Sequence, residues 1–574
     1  MKEMDETKYT EHLNDLWNKK RPKELPKETE YPFGEILVTE YLSKRAELTP
    51  DKACLIYYGT EISFKELDDL SNRFASYLAD KGFKKGDRIA VFMSNCPQFL
   101  IAFYGILKLG CVHVPVNPMF KEEELQYELT DTQAELVVTT DQLNSLVQKV
   151  KEQTDVKEVI TTSLIDLIPK TPAFTVHPMY MKEKLECPGT VDLLTVLEKQ
   201  SPEYPHVDIH LDDMAALNYT GGTTGMPKGC VHTQRDMLYT TASACTYIFR
   251  LKEQDVGLAY WPAFWIAGEV LCLLNPVVSG ATHVLLGRWD TEATMQAIEK
   301  YKVTFINGGV DNFVELLEEP SISQYDLTSL KVTTATSLSK KLDLEIRRKW
   351  EELTGCIMIE ATWGMTETNT YDTYTSYMYE DDKDLKSRPV FVGFPIPGTD
   401  FKVTDFETGE LLPIGKEGEL MIKTPALFKS YWNKPEETKR ALNNGWLRTG
   451  DMGMIDEEGY IHFLGRNKEM LKVNGMSVFP PEVEVVLARH PAVEANGIVG
   501  MPHAKKGEVP IAFVKLKEKA VGTVTEEEIQ KWCAEHMATY KVPIVKVVED
   551  LPMTATGKIL KVELAKKLQD VSIN

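Results

Sequence analysis

Helical and strand periodicities alternate along the chain from Glu61 onward, and this alternation limits the folds that the chain can adopt. Ser63 and Glu66 have the spacing of a capping box, and apolar residues follow at helical intervals. Residues 88–93 are then typical of a buried strand, residues 98–109 of an apolar helix and residues 111–116 of the next strand. The pattern predicts an α/β fold of mixed, mostly parallel sheets flanked by helices.

Two segments interrupt the alternation. Residues 169–210 are polar and rich in proline, which predicts a loop or linker between subdomains. Residues 390–431 contain short strands separated by glycine and proline turns, which predicts a small β-rich subdomain. Because 574 residues exceed one compact core, we expect at least two domains, the last hundred residues resuming a short α/β pattern.

Charge and cysteine spacing exclude several classes of protein. The net charge of −21 opposes loose association with nucleic acid or an anionic membrane surface. Nine dispersed cysteines without a CxxC pair suggest neither a disulfide framework nor a zinc site, and the charged N-terminus does not resemble a signal peptide. A cytoplasmic location is therefore expected.

One apolar region, residues 256–287, invites a membrane interpretation. Pro262, Glu269 and Pro276 interrupt it, whereas a spanning helix needs about 20 continuous apolar residues. We therefore expect no integral membrane segment, and instead predict buried strands and a pocket wall.

The segment YTGGTTGMPKG at residues 219–229 follows an apolar strand and precedes a helical run near Arg235. Its glycines let backbone amides converge, its threonines add hydroxyl donors and its lysine adds a cation, a combination that suits a triphosphate. An ordinary glycine-rich turn is the alternative, and the Walker spacing of P-loop ATPases is not met. The candidate binding residues are Thr220, Gly221, Gly222, Thr223, Thr224, Gly225 and Lys228.

Four further motifs follow in order: TWGMTET at 362–368, GWLRTGD at 445–451, GRNKEMLKVNG at 465–475 and TATGKILK at 554–561. With the first motif, this series resembles the adenylate-forming (AMP-binding) superfamily, which includes acyl-CoA synthetases, aryl-CoA ligases, firefly-type luciferases and adenylation domains of peptide synthetases. The resemblance covers residues 38–568. It implies a large N-terminal domain, residues 1–466, with a β-rich subdomain at about 390–466, and a small mobile α+β domain at 467–574.

The resemblance also implies roles for the nucleotide-site residues. Trp363, where the family usually has tyrosine, would stack on adenine without the phenol hydroxyl. Thr366 would hydrogen-bond the α-phosphate and Glu367 would ligate Mg²⁺. Asp451 would hold both ribose hydroxyls, with Arg466 beside it.

Lysines of the C-terminal motifs take roles from the same resemblance. Lys468 would be the hinge, although by sequence alone it is an ordinary solvated lysine. Lys558 would be the catalytic lysine that stabilises charge in the first half-reaction. Lys472 and Gly475 would belong to the face that rotates in for thioester formation.

The segment WPAFWIAG at 261–268 matches the family stretch that lines the acyl pocket. Trp265 stands where many ligases have histidine and amino-acid domains have aspartate, so no partner for a substrate ammonium is evident. Two glycines could deepen the pocket, while Trp265 could shorten it. The implied wall residues are Trp265, Gly268, Gly308, Gly309, Val310 and Ala361.

The implied function is an ATP-dependent acid:CoA ligase, which converts a carboxylic acid to acyl-AMP with release of pyrophosphate and then transfers the acyl group to CoA. Medium- or long-chain fatty acids rank ahead of aryl acids. ATP, Mg²⁺ and CoA are the expected cofactors and co-substrates, no nucleic-acid partner is expected, and a homodimer is left open. The alternatives are a carrier-loading adenylating enzyme, a nucleotide-binding regulatory protein without catalysis and a light-emitting oxygenase.

Overall fold

The computed structural model describes residues 5–220, 227–337, 340–386, 390–466, 469–473, 476–478, 480–503, 506–537, 539–553 and 559–568. Within these ranges the strands form four sheets flanked by helices. The α-helices are Glu6–Lys20, Val38–Leu48, Phe64–Asp80, Pro97–Lys108, Glu122–Thr132, Asp141–Lys151, Leu193–Lys199, Gln234–Ser243, Ile266–Gly268, Asn275–Ser279, Thr291–Tyr301, Val310–Glu318, Leu344–Thr354, Lys383–Lys386, Pro435–Ala441, Pro480–Leu487, Glu526–His536 and Lys561–Lys567.

The first sheet confirms the predicted parallel arrangement. Only its last strand, Gly229–Thr233, is antiparallel to its neighbour in the described chain. In spatial order the strands are Val191–Asp192, Glu158–Thr162, Leu136–Thr140, Arg88–Phe92, Val112–Val116, Met214–Tyr219 and Gly229–Thr233.

The second sheet is also parallel apart from one edge strand. Its strands, in spatial order, are Met358–Glu360, Val332–Thr336, Phe305–Gly309, Val256–Ala259, Thr282–Leu285, Ala53–Tyr57 and Thr60–Ser63. The predicted capping box forms at the following helix, because Ser63 Oγ accepts from the Glu66 amide at 3.1 Å and the Glu66 carboxylate accepts from the Ser63 amide at 2.8 Å.

The third sheet is the predicted β-rich subdomain and is antiparallel. Its strands, in spatial order, are Thr373–Tyr374, Val390–Pro395, Ile461–Arg466, Trp446–Ile455, Gly418–Lys423 and Asp400–Thr404, with Leu442–Asn443 beside Trp446–Ile455. A fourth sheet near the C-terminus contains Met476–Val478, Leu471–Val473, Gly507–Leu516 and Val493–His503, with Ile544–Val547 beside Gly507–Leu516.

Two segments differ from the sequence predictions. Residues 169–210 are not only a linker, since Val191–Asp192 joins the edge of the first sheet and Leu193–Lys199 packs as a helix. The apolar region at 256–287 contains buried strands as predicted, two in number, but a largely buried helical stretch runs between them. That stretch includes the π-helical segment Glu269–Leu274, a geometry that simple apolar periodicity does not reveal. No helix in the described ranges is long and apolar enough to cross a membrane.

Candidate functional site

The ends of the glycine-rich loop are held together by a backbone hairpin. Tyr219 pairs with Gly229, the Thr220 amide donates to the Lys228 carbonyl at 3.0 Å, and the Lys228 amide donates to Thr220 Oγ1 at 3.3 Å. Thr220 and Lys228 are therefore neighbours although they are eight positions apart in the sequence. The loop residues Gly221, Gly222, Thr223, Thr224 and Gly225 lie outside the described residues.

The turn at residues 363–370 is shaped by close backbone contacts. The Thr370 amide donates to the Met365 carbonyl at 3.0 Å, and the Asp372 amide donates to the Trp363 carbonyl at 3.1 Å. Asn369 and Thr370 have φ values of 58° and 84°, so two consecutive residues adopt left-handed backbone. A Cβ on Gly364 would lie 1.6 Å from the Thr370 carbonyl oxygen, so the turn requires glycine there.

Trp363 and Asp451 come from different motifs and meet in the structure. The indole Nε1 of Trp363 donates to Asp451 Oδ2 at 3.0 Å, and the ring packs edge-on against Phe401. Arg466, paired with Asp451 across two strands, places its Nε 3.1 Å from Asp451 Oδ1. Trp363 was predicted only to stack, so its role as a hydrogen-bond donor is a feature that the sequence analysis missed.

The carboxyl of Asp451 has an altered proton affinity. Burial raises its pKa to about 6, and the nearby Arg466 guanidinium and Trp363 indole oppose that rise. The side chain is only 3% exposed, which is why the pKa of this carboxyl lies above the usual value for aspartate. Oδ2 accepts from the Trp363 indole and Oδ1 faces the Arg466 guanidinium, and each carboxylate oxygen has a second lone pair that can accept from a ligand hydroxyl.

Glu367 is fixed by a residue that the sequence analysis did not identify. Tyr431 donates its hydroxyl to Glu367 Oε1 at 2.6 Å, and the Lys228 ammonium lies 4.1 Å from the centre of the same ring. Glu367 and Tyr431 are 8% and 5% exposed. Tyr431 therefore contacts two predicted phosphate-site residues, and no motif marked it in the sequence.

The backbone of Thr366 is held by a buried histidine. His232 Nε2 donates to the Thr366 carbonyl at 2.8 Å, and its other ring nitrogen faces Asp236 at 3.9 Å. Burial raises the pKa of the Asp236 carboxyl, but His232 and Lys429 outweigh that effect and the net shift is downward. This pair was also missed, because His232 lies in the strand after the glycine-rich loop and Asp236 in the next helix, outside every motif.

The predicted acyl-wall residues lie on adjoining elements. Gly308 and Glu360 occupy the same level of the second sheet, each in register with Ala335, and Ala361 follows directly. Trp261 donates its indole N–H to the Asn307 carbonyl at 3.1 Å, and its ring lies 6.1 Å from that of Trp265.

The sequence leaves open whether the wall glycines deepen the pocket or Trp265 shortens it, and in the structure protein atoms occupy the space beside Gly308 and Gly268. A Cβ on Gly308 would lie 2.5 Å from the Tyr260 hydroxyl and 3.0 Å from Phe313. The Gly309 amide donates to the same hydroxyl at 3.3 Å, and a Cβ on Gly268 would meet the Pro262 carbonyl oxygen at 1.8 Å. These glycines admit neighbouring groups of the protein, and Val310 is fully buried beside them.

A fully buried carboxyl follows the acyl-wall segment. Glu269 accepts a hydrogen bond from Asn218 Nδ2 at 3.1 Å, and burial raises the pKa of the glutamate to about 7. Asn218 lies two residues before Thr220, so this contact joins the acyl-wall segment to the strand that leads into the glycine-rich loop.

The functional residues predicted in the C-terminal region cannot be placed relative to this site. Lys468, Gly475 and Lys558 lie outside the described residues, and so does the side chain of Lys472. Their assigned roles remain predictions.

The described part of the chain also contains no group of three or more His, Cys, Asp or Glu side chains arranged to hold a metal ion.

Comparisons with known proteins match nearly the whole chain. The model of the AMP-binding enzyme family matches residues 42–432, and that of the AMP-binding enzyme C-terminal domain matches residues 482–558. A long-chain-fatty-acid–CoA ligase of Bacillus subtilis is 33% identical over 561 residues, covering 96% of this chain and 98% of the relative.

Two solved structures have the same architecture. An anthranilate CoA ligase in complex with anthranoyl-AMP is 26% identical, with a TM-score of 0.80 over 95% of this chain and 98% of the other. The ATP-bound MatB of Rhodopseudomonas palustris is also 26% identical, with a TM-score of 0.80 over 93% of this chain and 99% of the other.

Proposed function

The chain belongs to the family of AMP-binding enzymes, and from that premise we propose that it is an ATP-dependent acid:CoA ligase of the AMP-forming type. The observation that carries the proposal is that residues of three motifs contact one another or a shared neighbour in the fold. Trp363 binds Asp451, Tyr431 binds Glu367, and Lys228 lies over Tyr431. Similarity over 96% of the chain to a ligase named for long-chain fatty acids and CoA supports a carboxylic acid as the substrate and CoA as the acyl acceptor.

In the adenylation half-reaction, the substrate carboxylate attacks the α-phosphorus of ATP and pyrophosphate leaves. We assign the adenine face to Trp363, the ribose to Asp451 and Arg466, and the α-phosphate to Thr366. Lys228 and Lys558 would offset the negative charge that grows on the phosphate oxygens and on the leaving group. Binding both reactants in a fixed relative orientation lowers the activation barrier, because the carboxylate and the α-phosphorus no longer have to meet from free solution.

The side chain of Glu367 fits Mg²⁺. Its Oε1 accepts from Tyr431, and its Oε2 forms no hydrogen bond within the described part of the chain. Magnesium is commonly held by one or two carboxylates together with substrate phosphates, so a single carboxylate beside a triphosphate site suits it. When bound, the metal ion would supply charge neutralisation to the phosphates.

In the second half-reaction, the CoA thiol would attack the acyl-adenylate and release AMP. We propose that a small C-terminal domain, residues 467–574, rotates about Lys468 to present Lys472 and Gly475 for this step. The sheets support a domain boundary near residue 467, because along the chain the last strand of the third sheet ends at Arg466 and the first strand of the fourth sheet begins at Leu471. Lys561 also bridges Glu469 and Glu484 at 2.7 and 2.9 Å, which joins residues past the boundary to the C-terminal helix.

A medium- or long-chain fatty acid is the proposed substrate class. The fatty-acid name of the Bacillus relative favours it, and the apolar wall of Trp265, Val310 and Ala361 is compatible with it. An aryl acid is the second candidate, because the anthranilate ligase has the same architecture and aromatic rings line the wall here. A cytoplasmic location agrees with the use of ATP and CoA.

Pyrophosphate release with ATP and Mg²⁺, measured across fatty, aryl and amino acids with and without CoA, tests the proposal. We expect turnover on fatty acids that CoA stimulates. Release that responds to a carrier protein but not to CoA would replace the ligase by a carrier-loading enzyme, and no release with any acid would overturn the proposal.

The raised pKa of Asp451 predicts pH-dependent nucleoside binding. Only the ionised carboxylate accepts hydrogen bonds through all its lone pairs, so affinity should hold above pH 6 and fall as the pH drops through about 6. Hydrogen bonds to a charged group contribute about 1.5–3 kcal/mol, so Asp451→Asn should weaken binding about 10-fold at pH 8 and much less at pH 5. Calorimetry with adenosine, which has no titrating phosphate, checks this. A ratio between wild type and variant that is constant with pH would contradict it.

A further inference from the structure

Tyr431 makes two contacts within the predicted phosphate site, and neither is explained by packing alone. Its hydroxyl donates to Glu367 Oε1 at 2.6 Å, and its ring lies beneath the Lys228 ammonium at 4.1 Å. Both partners carry charges that the proposed reaction needs. We propose that Tyr431 is a positioning residue, which orients the carboxylate of Glu367 for Mg²⁺ and holds the Lys228 ammonium toward the phosphates. This inference rests on the proposed function.

The backbone around Tyr431 is fixed to both partners. Residues 429–432 pair with the strand that follows Lys228: the Lys429 amide donates to the Val231 carbonyl at 2.9 Å, and the Trp432 amide donates to the Gly229 carbonyl at 2.7 Å. The Phe428 amide donates to the Glu367 carbonyl at 2.8 Å. One short segment therefore connects the end of the glycine-rich loop to the turn that contains Glu367.

The hydroxyl contact selects one orientation of the carboxylate. With Oε1 accepting from Tyr431, Oε2 is the oxygen left for a ligand among the described contacts. Hydrogen bonds of this kind to metal-binding side chains fix their orientation, and their removal commonly costs 10- to 100-fold in metal affinity or activity.

The ring contact acts on Lys228. A lysine ammonium over a tyrosine face is attracted by the ring, and the interaction strengthens where water is excluded. Tyr431 is buried and Lys228 is half-buried, so the contact narrows the range of positions open to the ammonium. Two substitutions distinguish the effects of these contacts. Tyr431→Phe removes only the hydroxyl, whereas Tyr431→Leu removes the ring as well.

Calorimetric binding of ATP, in EDTA and at saturating Mg²⁺, tests the inference without acid or CoA. In the wild type Mg²⁺ should strengthen ATP binding, and Tyr431→Phe should reduce that gain about 10-fold while leaving binding in EDTA unchanged. Tyr431→Leu should also weaken binding in EDTA, by about 3-fold, since Lys228 loses its support. The matched control is Tyr104→Phe, which removes another buried hydroxyl, one that donates to the Leu273 carbonyl at 3.0 Å.

Kinetics provide a second measurement. Tyr431→Phe should raise the free Mg²⁺ concentration at half-maximal pyrophosphate release about 10-fold, while kcat at saturating Mg²⁺ changes much less. If Tyr431 were purely structural, Tyr431→Phe should lower thermal stability, as we expect of Tyr104→Phe, without changing the Mg²⁺ dependence. An active wild type with an unchanged Mg²⁺ dependence in Tyr431→Phe would overturn this inference and leave the proposed function intact. If the wild type bound ATP with the same affinity in EDTA and in Mg²⁺, that result would overturn the inference as well, whatever the activity of the enzyme.

Discussion

Replacing Glu367 with glutamine is expected to lower kcat/KM for pyrophosphate release by about 100- to 1,000-fold, the range typical when a group that stabilises transition-state charge is removed. Glutamine keeps the size of the side chain and can still accept from Tyr431, so the fold should be preserved. What is lost is the negative charge that makes the side chain a suitable ligand for Mg²⁺. The comparison is made by varying ATP at saturating acid, at each of several Mg²⁺ concentrations.

The control for this substitution is Glu436→Gln, an identical change of charge on the exposed helix that follows Tyr431. It should leave both turnover and Mg²⁺ dependence at the wild-type level. If Glu367→Gln kept wild-type kinetics at low Mg²⁺, Glu367 would not be the metal-binding residue.

Gly364→Ala is the second substitution with a large expected effect, about 100-fold or more in kcat/KM. The new Cβ would lie 1.6 Å from the Thr370 carbonyl oxygen and 2.2 Å from the carbonyl carbon, both in the backbone, so the turn must shift. Trp363 directly precedes this position and Thr366 lies two residues after it, and a displacement of about 1 Å at a reacting site can cost 100-fold in rate. Steady-state kinetics with a thermal melt would separate lost catalysis from lost folding.

Gly355→Ala is the matched control. Gly355 is also replaced by alanine, but nothing lies within 4 Å of its Cβ position, and the only strain comes from its φ of 73°. A left-handed alanine costs about 1–2 kcal/mol, which should lower the melting temperature and leave kcat/KM unchanged. Wild-type kinetics in Gly364→Ala would mean that the backbone of this turn does not set the geometry of the site.

The sequence predicted the fold well where local and tertiary preferences agree. The capping box at Ser63 forms, and the alternating apolar runs become parallel strands. Prediction failed where neighbours decide the conformation. The strand Val191–Asp192 has no strong pattern of its own and exists because the edge of the first sheet is available to it.

The candidate site was predicted in part, and the missing parts have a common cause. Trp363 and Asp451 were each identified within a motif, but their hydrogen bond joins residues 88 positions apart. Tyr431 is 64 positions from Glu367 and outside every motif, so only the fold brings it into the site. The depth of the acyl pocket was left open, because the sequence does not show that Tyr260 fills the space beside Gly308.

The products formed from a fatty acid, ATP, Mg²⁺ and CoA test the central claim most directly. Chromatography of the reaction should show AMP and acyl-CoA accumulating in equal amounts, with pyrophosphate and without ADP. Formation of ADP, or of AMP without a matching amount of thioester, would contradict the assignment of this chain as an AMP-forming acid:CoA ligase.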